Sequence, residues 1–237
     1  SSDLGHIHPI TQARWELEEI ARTMGFLVED GPELESDYYV FESLNIPKDH
    51  PARDGQDTFY IKDAPEQCMR SHVSNMQVRL MRKYGAPLRA VHPGRVFRNE
   101  AIDATHGHTF YQFDLIVVDK NLTVSDLIGV GKEFLRGLYK KEVEVRLRPA
   151  YFPFVEPGFE MDMQMTYKVE GKEKTKWMEI FGCGLIHPSV IREGGFDPEE
   201  YNGFAFSFGI DRLVMSKYGI EDIRHIHGGD LRFLTQF

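Results

Sequence analysis

The side chains best suited to chemistry are concentrated between Gly94 and Leu115, in the stretch GRVFRNEAIDATHGHTFYQFDL. Two strand-like runs flank a polar loop, which predicts a long β-hairpin. Its functional groups are Arg95 and Arg98 on the first strand, Glu100 at its end, His106 and His108 in the loop, and Phe110, Gln112 and Asp114 on one face of the return strand. An arginine for a phosphate, an acid for an exocyclic amine and a ring to stack on a base together suggest a nucleotide-binding platform. The alternative is an exposed hairpin with a solvated charged face.

The composition is that of a globular, enzyme-like chain. The 237 residues are 41% hydrophobic and 12% aromatic, which is enough for a sizeable core. The net charge of −9 provides no overall basic field, so RNA would need another segment or subunit to hold it. Cys68 and Cys183 have no zinc-ligand spacing and suggest reduced thiols. With no long apolar run and no signal region, we expect no membrane association and a cytoplasmic location.

Helices and strands must position this hairpin. Four helices are predicted. The first runs from Ile10, with Thr11 as N-cap, to a stop at Gly25, and the second is the later half of a polar element that begins at Arg70, with Ser74 or Asn75 as its cap. The others run from Thr123 to about Tyr139 and from Ile210 to Tyr218, with Arg212 in the first turn of the last. The stretch YFPFVEPG at 151–158 does not read as an ordinary central strand, because proline cannot donate to a neighbour. The other alternating runs predict a single α+β domain over residues 1–237, a mainly antiparallel sheet with helices packed on it.

Several longer motifs occur in a fixed order: GRVFRNE, DATH, YFPFVEP, GCGLIHP and GFAF…GIDRL. With them the chain resembles the bacterial phenylalanyl-tRNA synthetase α-subunit family over nearly its whole length. The resemblance implies the class II aminoacyl-tRNA synthetase fold, an antiparallel sheet flanked by helices, with three motifs. Motif 1 would be the helix and strand from Pro9 to Val28, motif 2 the hairpin, and motif 3 the strand and helix around Gly209 and Arg212.

The resemblance also implies a two-step reaction. Phenylalanine first reacts with ATP, in the presence of Mg²⁺, to give an adenylate and pyrophosphate, and the adenylate then acylates tRNA(Phe). The family's α subunit works with a β subunit in a heterotetramer. Both steps depend more on positioning and charge stabilisation than on a nucleophilic or acid–base side chain. No such catalytic group is therefore needed in this sequence.

For ATP, the resemblance assigns a role to each polar or aromatic group of motifs 2 and 3. Arg98 would hold the α-phosphate, Glu100 would accept from the adenine amine, and Phe110 and Arg212 would lie on opposite adenine faces. His106 would contact the triphosphate, and Glu179 would lie near the phosphates. The alternatives are a solvated strand arginine, a core phenylalanine and an exposed loop histidine.

For the amino acid, the resemblance implies a polar edge and an aromatic pocket. The residues concerned are His72, Ser74, Gln77, Gln112 and Asp114 at the polar edge, Phe152 and Phe154 as the walls, Ala205 at the floor, and Gly182 and Gly184 where the backbone meets substrate. Plain core packing and turn glycines are the alternatives. For the metal, Glu156 matches a magnesium ligand shared with the β subunit, and Glu179 is a second candidate; ordinary charged surface residues are the alternative.

Three features depart from the family pattern. Where the family usually has F-H-Q-x-E-G, this chain has Phe110 to Leu115, FYQFDL, so Asp114 is one methylene shorter than glutamate. Ser207 stands where a glycine is usual. The sequence has no counterpart of the family's N-terminal coiled coil, so we expect either a catalytic core or a naturally short form. A free-standing paralog that adenylates an amino acid for another acceptor, or a non-catalytic regulatory paralog, remains the alternative.

Overall fold

The computed structural model describes residues 5–53, 58–101, 103–104, 107–169 and 172–237. The strands, in chain order, are β1 (Leu27–Val28), β2 (Leu34–Ser36), β3 (Tyr60–Ile61), β4 (Ala64–Met69), β5 (Leu88–Phe97), β6 (Thr109–Asp119), β7 (Val145–Phe152), β8 (Val155–Val169), β9 (Lys172–Ile186) and β10 (Asn202–Gly209). The helices are α1 (Pro9–Thr23), α2 (Asp37–Val40), α3 (Met76–Tyr84), α4 (Val124–Tyr139), α5 (Pro188–Glu193), α6 (Ile210–Tyr218), α7 (Ile223–His227) and α8 (Leu231–Leu234), with 3₁₀ turns at Glu42–Leu44 and Pro51–Arg53.

Two sheets organise these elements. The large sheet has the strand order β1-β5-β6-β10-β9-β8-β7, and the small one has the order β2-β4-β3. Every pairing is antiparallel except that of β1 with β5. The mainly antiparallel α+β architecture expected from the sequence is therefore confirmed.

Helices cover both faces of the large sheet, so the alternate residues of its central strands are apolar on either side. Along β6, Phe113 belongs to one buried cluster and Ile116 to another. The first cluster, under α1, α4 and α6, is rich in aromatic rings, and Phe181 stacks on Phe206 with 4.5 Å between ring centres. The second lies under α3 and α5 and includes Ala205. The sheet is thus a rigid base for the groups at its rim.

The β5–β6 hairpin forms as predicted, with Arg95 opposite Tyr111 and Phe97 opposite Thr109. The expectation that Arg98 lies on the first strand and that Glu100 ends it is wrong, because the strand ends at Phe97. The next backbone bond, from Arg98 N to the His108 carbonyl, measures 2.9 Å and starts the loop. Freed from strand alternation, Arg98 turns toward Ser71.

The helix boundaries follow the predictions closely, with one different cap. His8, rather than Thr11, caps α1, because its ring nitrogen accepts from Ile10 N at 3.2 Å and the helix begins at Pro9. Gly25 follows the end of α1 with φ at +81°. Thr123 caps α4 as expected and forms a reciprocal capping box with Asp126.

The stretch 151–158 joins β7 to β8 and lies partly within the sheet. β8 begins at Val155 and pairs with strands on both sides, so Pro157 is inside a central strand. The register of both pairings shifts there, between Ala150 and Phe152 on β7 and between Val155 and Gly158 on β8. This irregularity accommodates Pro157, which has no backbone N–H to donate to a neighbouring strand.

Across the described residues, no helix combines the length and the apolar character needed to cross a membrane.

Candidate active site

Two adjoining cavities lie beside the β5–β6 hairpin, and Arg98 and Gln112 line both of them. The first has a volume of about 460 Å³ and the second about 260 Å³. The predicted residues in the first cavity are His72, Ser74, Gln77, Arg98, Gln112, Asp114, Phe152, Phe154, Glu179, Gly182 and Ala205. Those in the second are Arg98, Glu100, Phe110, Gln112 and Arg212. The fold therefore gathers residues that are far apart in the chain.

The polar wall of the first cavity comes from β6, α3 and the segment before α3. Gln77 Nε2 donates to Asp114 Oδ2 at 3.0 Å, and the Ser74 hydroxyl is bonded to the same carboxyl group. His72 donates from Nε2 to the Val40 carbonyl at 2.9 Å, which leaves Nδ1 as an acceptor. Asp114 Oδ1, Gln77 Oε1 and His72 Nδ1 are buried and have no hydrogen-bond partner among the described residues. A ligand with several N–H donors would satisfy them.

Burial sets the charge of this wall. It raises the pKa of Asp114 to about 7, although hydrogen bonds from Ser74 and Gln77 favour the ionised form. Burial and, to a lesser extent, the positive charge of Arg98 together lower the pKa of His72 to about 4. At neutral pH His72 is uncharged and Asp114 is near its midpoint, so a bound cation would complete the ionisation of Asp114.

The opposite wall is aromatic. Phe152 and Phe154 are stacked with 6.1 Å between their ring centres, and Phe154 lies 6.4 Å from the His72 ring. Ala205 on β10 is buried and borders the cavity with its methyl group. A Cβ at Gly182 would stand 3.1 Å from the Phe152 ring, so the missing side chain leaves room for that ring. The wall suits a flat apolar ligand.

Arg98 stands where the two cavities meet. Its Nε donates to the Ser71 carbonyl at 3.0 Å, and its Nη1 lies 3.8 Å from Glu100 Oε1. Its guanidinium carbon is 5.0 Å from the centre of the Phe110 ring, a cation–π contact. Arg212 also lines the second cavity and is exposed. Desolvation lowers the pKa of Arg98, but an arginine in such a site remains charged.

Asp211 lines the second cavity and was not identified from the sequence. Its Oδ2 accepts from the Tyr111 backbone N–H at 2.6 Å, and its Oδ1 lies 2.5 Å from His227 Nε2. It thereby joins α6, which carries Arg212, to β6, which carries Phe110. Its position beside Arg212 in GIDRL is the sequence signal that would have found it.

Two predicted residues lie outside both cavity linings, and a third cannot be placed. A Cβ at Gly184 would be 2.5 Å from the Pro157 carbonyl, so Gly184 allows β8 and β9 to approach each other and is absent from both cavity linings. Glu156 is exposed and pairs with His187 at 3.3 Å. His106 lies outside the described residues.

The two magnesium candidates occupy separate places. Glu179 is opposite Asp162 in the β8–β9 register, six residues along β8 from Glu156 and roughly 20 Å away at about 3.3 Å per residue. The two carboxylates therefore cannot share one ion. Glu179 lines the first cavity with Glu160, and both approach Arg148 Nη2, at 3.7 and 2.7 Å. No group of three or more His, Cys, Asp or Glu side chains suited to a metal occurs in the part of the chain that the structure describes.

Sequence reasoning also missed Tyr151 and Glu160 in the first cavity and noted Ser207 only as a departure. Tyr151 directly precedes Phe152 in the same aromatic motif. Glu160 is two residues beyond Gly158, so strand alternation from YFPFVEPG would have pointed to it.

The chain is similar to a protein family, to curated relatives and to solved structures. The family model described as the tRNA synthetases class II core domain (F) matches residues 1–237. Three curated relatives are named phenylalanine–tRNA ligase alpha subunit. The one from Clostridium perfringens is 48% identical over 239 residues, covering 99% of this chain and 70% of the relative. Those from Leptospira biflexa and Bacillus subtilis are 49% and 46% identical, covering 98% and 99% of this chain and 69% of each relative.

The architecture is also similar to that of a solved synthetase. The crystal structure of pyrrolysyl-tRNA synthetase from Desulfitobacterium hafniense superposes with a TM-score of 0.67, covering 92% of this chain and 72% of that chain. The sequences are 16% identical, so this likeness concerns the fold alone.

Proposed function

Because the chain belongs to the class II tRNA synthetase family and, within it, to the phenylalanine–tRNA ligase alpha subunits, we propose that its two cavities bind phenylalanine and ATP and join them as an adenylate. The activated phenylalanine is then passed to tRNA(Phe). The first cavity binds the amino acid and the second binds the nucleotide, with Arg98 between them.

The observation that carries this proposal is the set of three unsatisfied buried acceptors opposite an aromatic wall. An α-ammonium group has three N–H donors and a positive charge, and it matches Asp114 Oδ1, Gln77 Oε1 and His72 Nδ1. Removing a partner from such groups is costly because they have already lost water. The wall is therefore complete only with a cationic donor in place.

The side chain of the amino acid faces Phe152 and Phe154. Offset ring packing favours a phenyl group over an aliphatic one of similar area. The Ala205 methyl limits the length of the ring at its para position. The tyrosine hydroxyl would be excluded only by lack of room at this position, so the site discriminates only modestly against tyrosine.

Arg98 stabilises the charge that develops during activation. A carboxylate oxygen of phenylalanine attacks the α-phosphorus of ATP, a carboxyl–phosphate bond forms, and the bond to pyrophosphate breaks. The arginine at the junction of the cavities is suited to hold the α-phosphate oxygens. Glu100 accepts from the adenine amine, Phe110 and Arg212 flank the base, and His106 contacts the triphosphate.

Magnesium would be held by a single carboxylate rather than in a closed protein site. Glu179 supplies hard oxygen ligands on the wall of the first cavity, which suits an ion that keeps waters and phosphate oxygens as its other ligands. The ion would offset phosphate charge when bound. Glu156, exposed and distant, is suited to an ion shared with another subunit.

The partners follow from the family and from the charge. A β subunit, in a heterotetramer, would supply the basic surface that a chain with a net charge of −9 does not offer to tRNA. We propose a cytoplasmic location, where ATP and tRNA are available.

The test is pyrophosphate–ATP exchange dependent on an added amino acid, measured with and without the β subunit for phenylalanine, tyrosine and tryptophan. We expect exchange with phenylalanine in the complex, and weak exchange and no tRNA charging by this chain alone. Exchange driven by another amino acid would contradict the phenylalanine assignment. Full exchange without a β subunit and without charging would favour a free-standing adenylating paralog.

A further inference from the structure

Arg70 is a buried cation to which the proposed mechanism gives no role. It is 1% exposed and is the largest of the fully buried side chains among the described residues. Its Nε donates to the Arg95 carbonyl at 2.6 Å, and its Nη1 donates to the Gly31 carbonyl at 3.2 Å and to His92 Nε2 at 3.0 Å. In the described part of the chain, no carboxylate lies within ion-pair distance of it. Its acceptors are neutral.

A buried charge without a direct ion pair is expensive, and an apolar residue of equal volume would stabilise a core better. Desolvation lowers the pKa of Arg70, and the more distant carboxylates of Glu33, Asp30 and Glu35 offset only part of this effect. The contribution of the guanidinium is therefore the positioning of the backbone segments to which it donates. Its neutral partner His92 donates to the Glu29 carbonyl at 2.8 Å, so the pair fastens the 29–32 loop to β5.

The backbone around Arg70 leads directly to Arg98. The Arg70 carbonyl accepts from Phe97 N at 2.9 Å, which fixes the last residue of β5. The Ser71 carbonyl then accepts from Arg98 Nε at 3.0 Å, and His72 lines the first cavity. The segment 70–72 thus has its side-chain anchor in the core and its next two residues at the active site.

A second observation shows that space is reserved for this guanidinium. A Cβ at Gly94 would lie 2.9 Å from Arg70 Cζ and would overlap its Nη2. Because Arg70 is held on several sides, it cannot swing aside as an exposed arginine would. Glycine at position 94 is therefore required by Arg70.

We propose that Arg70 is a positioning residue for adenylate formation: by anchoring segment 70–72 against β5, it holds the guanidinium of Arg98 where the α-phosphate reacts. The inference rests on the proposed function. Misplacing Arg98 affects an interaction made in the transition state, so kcat falls while the KM for ATP changes little.

The experiment uses the holoenzyme with its β subunit and reports kcat per active site, titrated by the ATP burst. We expect Arg70→Met to lower kcat of exchange 10- to 100-fold, with the KM for ATP within threefold of the parent. Arg70→Lys keeps the charge but reaches fewer carbonyls, so its kcat is intermediate. The matched control is Arg53→Met, which removes a largely buried arginine bonded to Asp37, remote from Arg98 in its contacts, and keeps parental kcat per active site.

The decisive measurement is a double-mutant cycle with Arg98→Ala. If Arg70 acts through Arg98, adding Arg70→Met to Arg98→Ala slows the reaction no further. Gly94→Ala keeps Arg70 but crowds its guanidinium, so we expect it to reproduce the loss of kcat. It is the substitute variant if the Arg70→Met chain fails to fold. Parental kcat in Arg70→Met or Gly94→Ala, or losses that multiply in the double variant, overturns the inference. No exchange in the parent holoenzyme would instead contradict the proposed function.

Discussion

The Asp211 carboxylate accepts the backbone N–H of Tyr111 at 2.6 Å, across 100 positions of sequence. This bond joins the first turn of α6 to β6, and so fixes the separation between Arg212 and Phe110. Ile223, which begins α7, also lines this cavity and donates to the Ala104 carbonyl at 2.9 Å. The second cavity is thus braced on two sides by segments from the C-terminal third of the chain.

Replacement of Asp211 should weaken ATP binding. Asp211→Ala leaves the Tyr111 N–H without its acceptor, which costs about 1–3 kcal/mol of stability. The loosened contact between α6 and β6 then raises the KM for ATP. Asp211→Asn keeps an acceptor and has a smaller effect. ATP titration of the exchange reaction measures both. Asp126→Ala removes a helix-capping carboxylate on α4, outside both cavity linings, and serves as the control. An unchanged KM in Asp211→Ala would refute the bracing role.

Arg98→Ala should reduce adenylate formation to a low residual rate while the fold is retained. Arg98 lies at a cavity wall rather than in the apolar core, and one preorganised transition-state contact is worth about 100- to 1,000-fold in kcat. The matched control is Arg95→Ala on the same hairpin, whose guanidinium pairs with Glu33 and is absent from both cavity linings. We expect parental exchange from this control. Near-normal exchange in Arg98→Ala would remove the basis for the nucleotide site.

Ala205→Gly should admit para-substituted phenylalanines and keep phenylalanine as a substrate. Phe204 and Phe206 point into the aromatic core, so Ala205 alone of these three presents its side chain to the cavity face. A methyl-sized gain in space changes discrimination by about 1–3 kcal/mol, or roughly 10- to 200-fold. The measurement is exchange with para-chlorophenylalanine. The control is Ala90→Gly, which removes a buried methyl from the same core cluster but not from the cavity. We expect it to reject para-chlorophenylalanine as the parent does. Equal rejection by parent and Ala205→Gly would show that the methyl is not the limit.

The pH dependence of phenylalanine activation should report Asp114. Its pKa of about 7 in the free protein means that the carboxyl group is protonated below neutrality, where it cannot pair with an ammonium group. We expect kcat/KM for phenylalanine to rise between pH 6 and 8 and then level off. His72, with its pKa lowered to about 4, stays neutral throughout this range and cannot cause the inflection. Asp114→Asn should flatten the profile at a low value. A profile with the same inflection in Asp114→Asn would assign the titration elsewhere.

The same group affects stability. Because the folded-state pKa is raised above the unfolded value of about 3.8, the folded protein binds more protons between pH 4 and 7. Its contribution to the free energy of unfolding is therefore full below pH 4 and is lost as pH rises through about 7. In urea unfolding at fixed salt, the free energy of unfolding of Asp114→Asn should decline less than that of the parent over this pH interval.

Local patterns in the sequence determined much of the fold. The alternation along β6, the Thr123–Asp126 cap of α4 and the Gly25 stop of α1 each depend on neighbours within a few residues, so the sequence carries them directly. The hairpin and its chemical character followed for the same reason. The motifs supplied the family and, with it, the class II architecture.

Tertiary structure decided which residues meet. Asp114 and Gln77 come together only because α3 packs over β6, and the three unsatisfied acceptors become visible only once burial is known. The close approach at Gly184 depended on the β8–β9 register, which brings its Cα against the Pro157 carbonyl. Sequence spacing could not reveal that Arg70 is buried, because burial of a charge depends on contacts from distant strands.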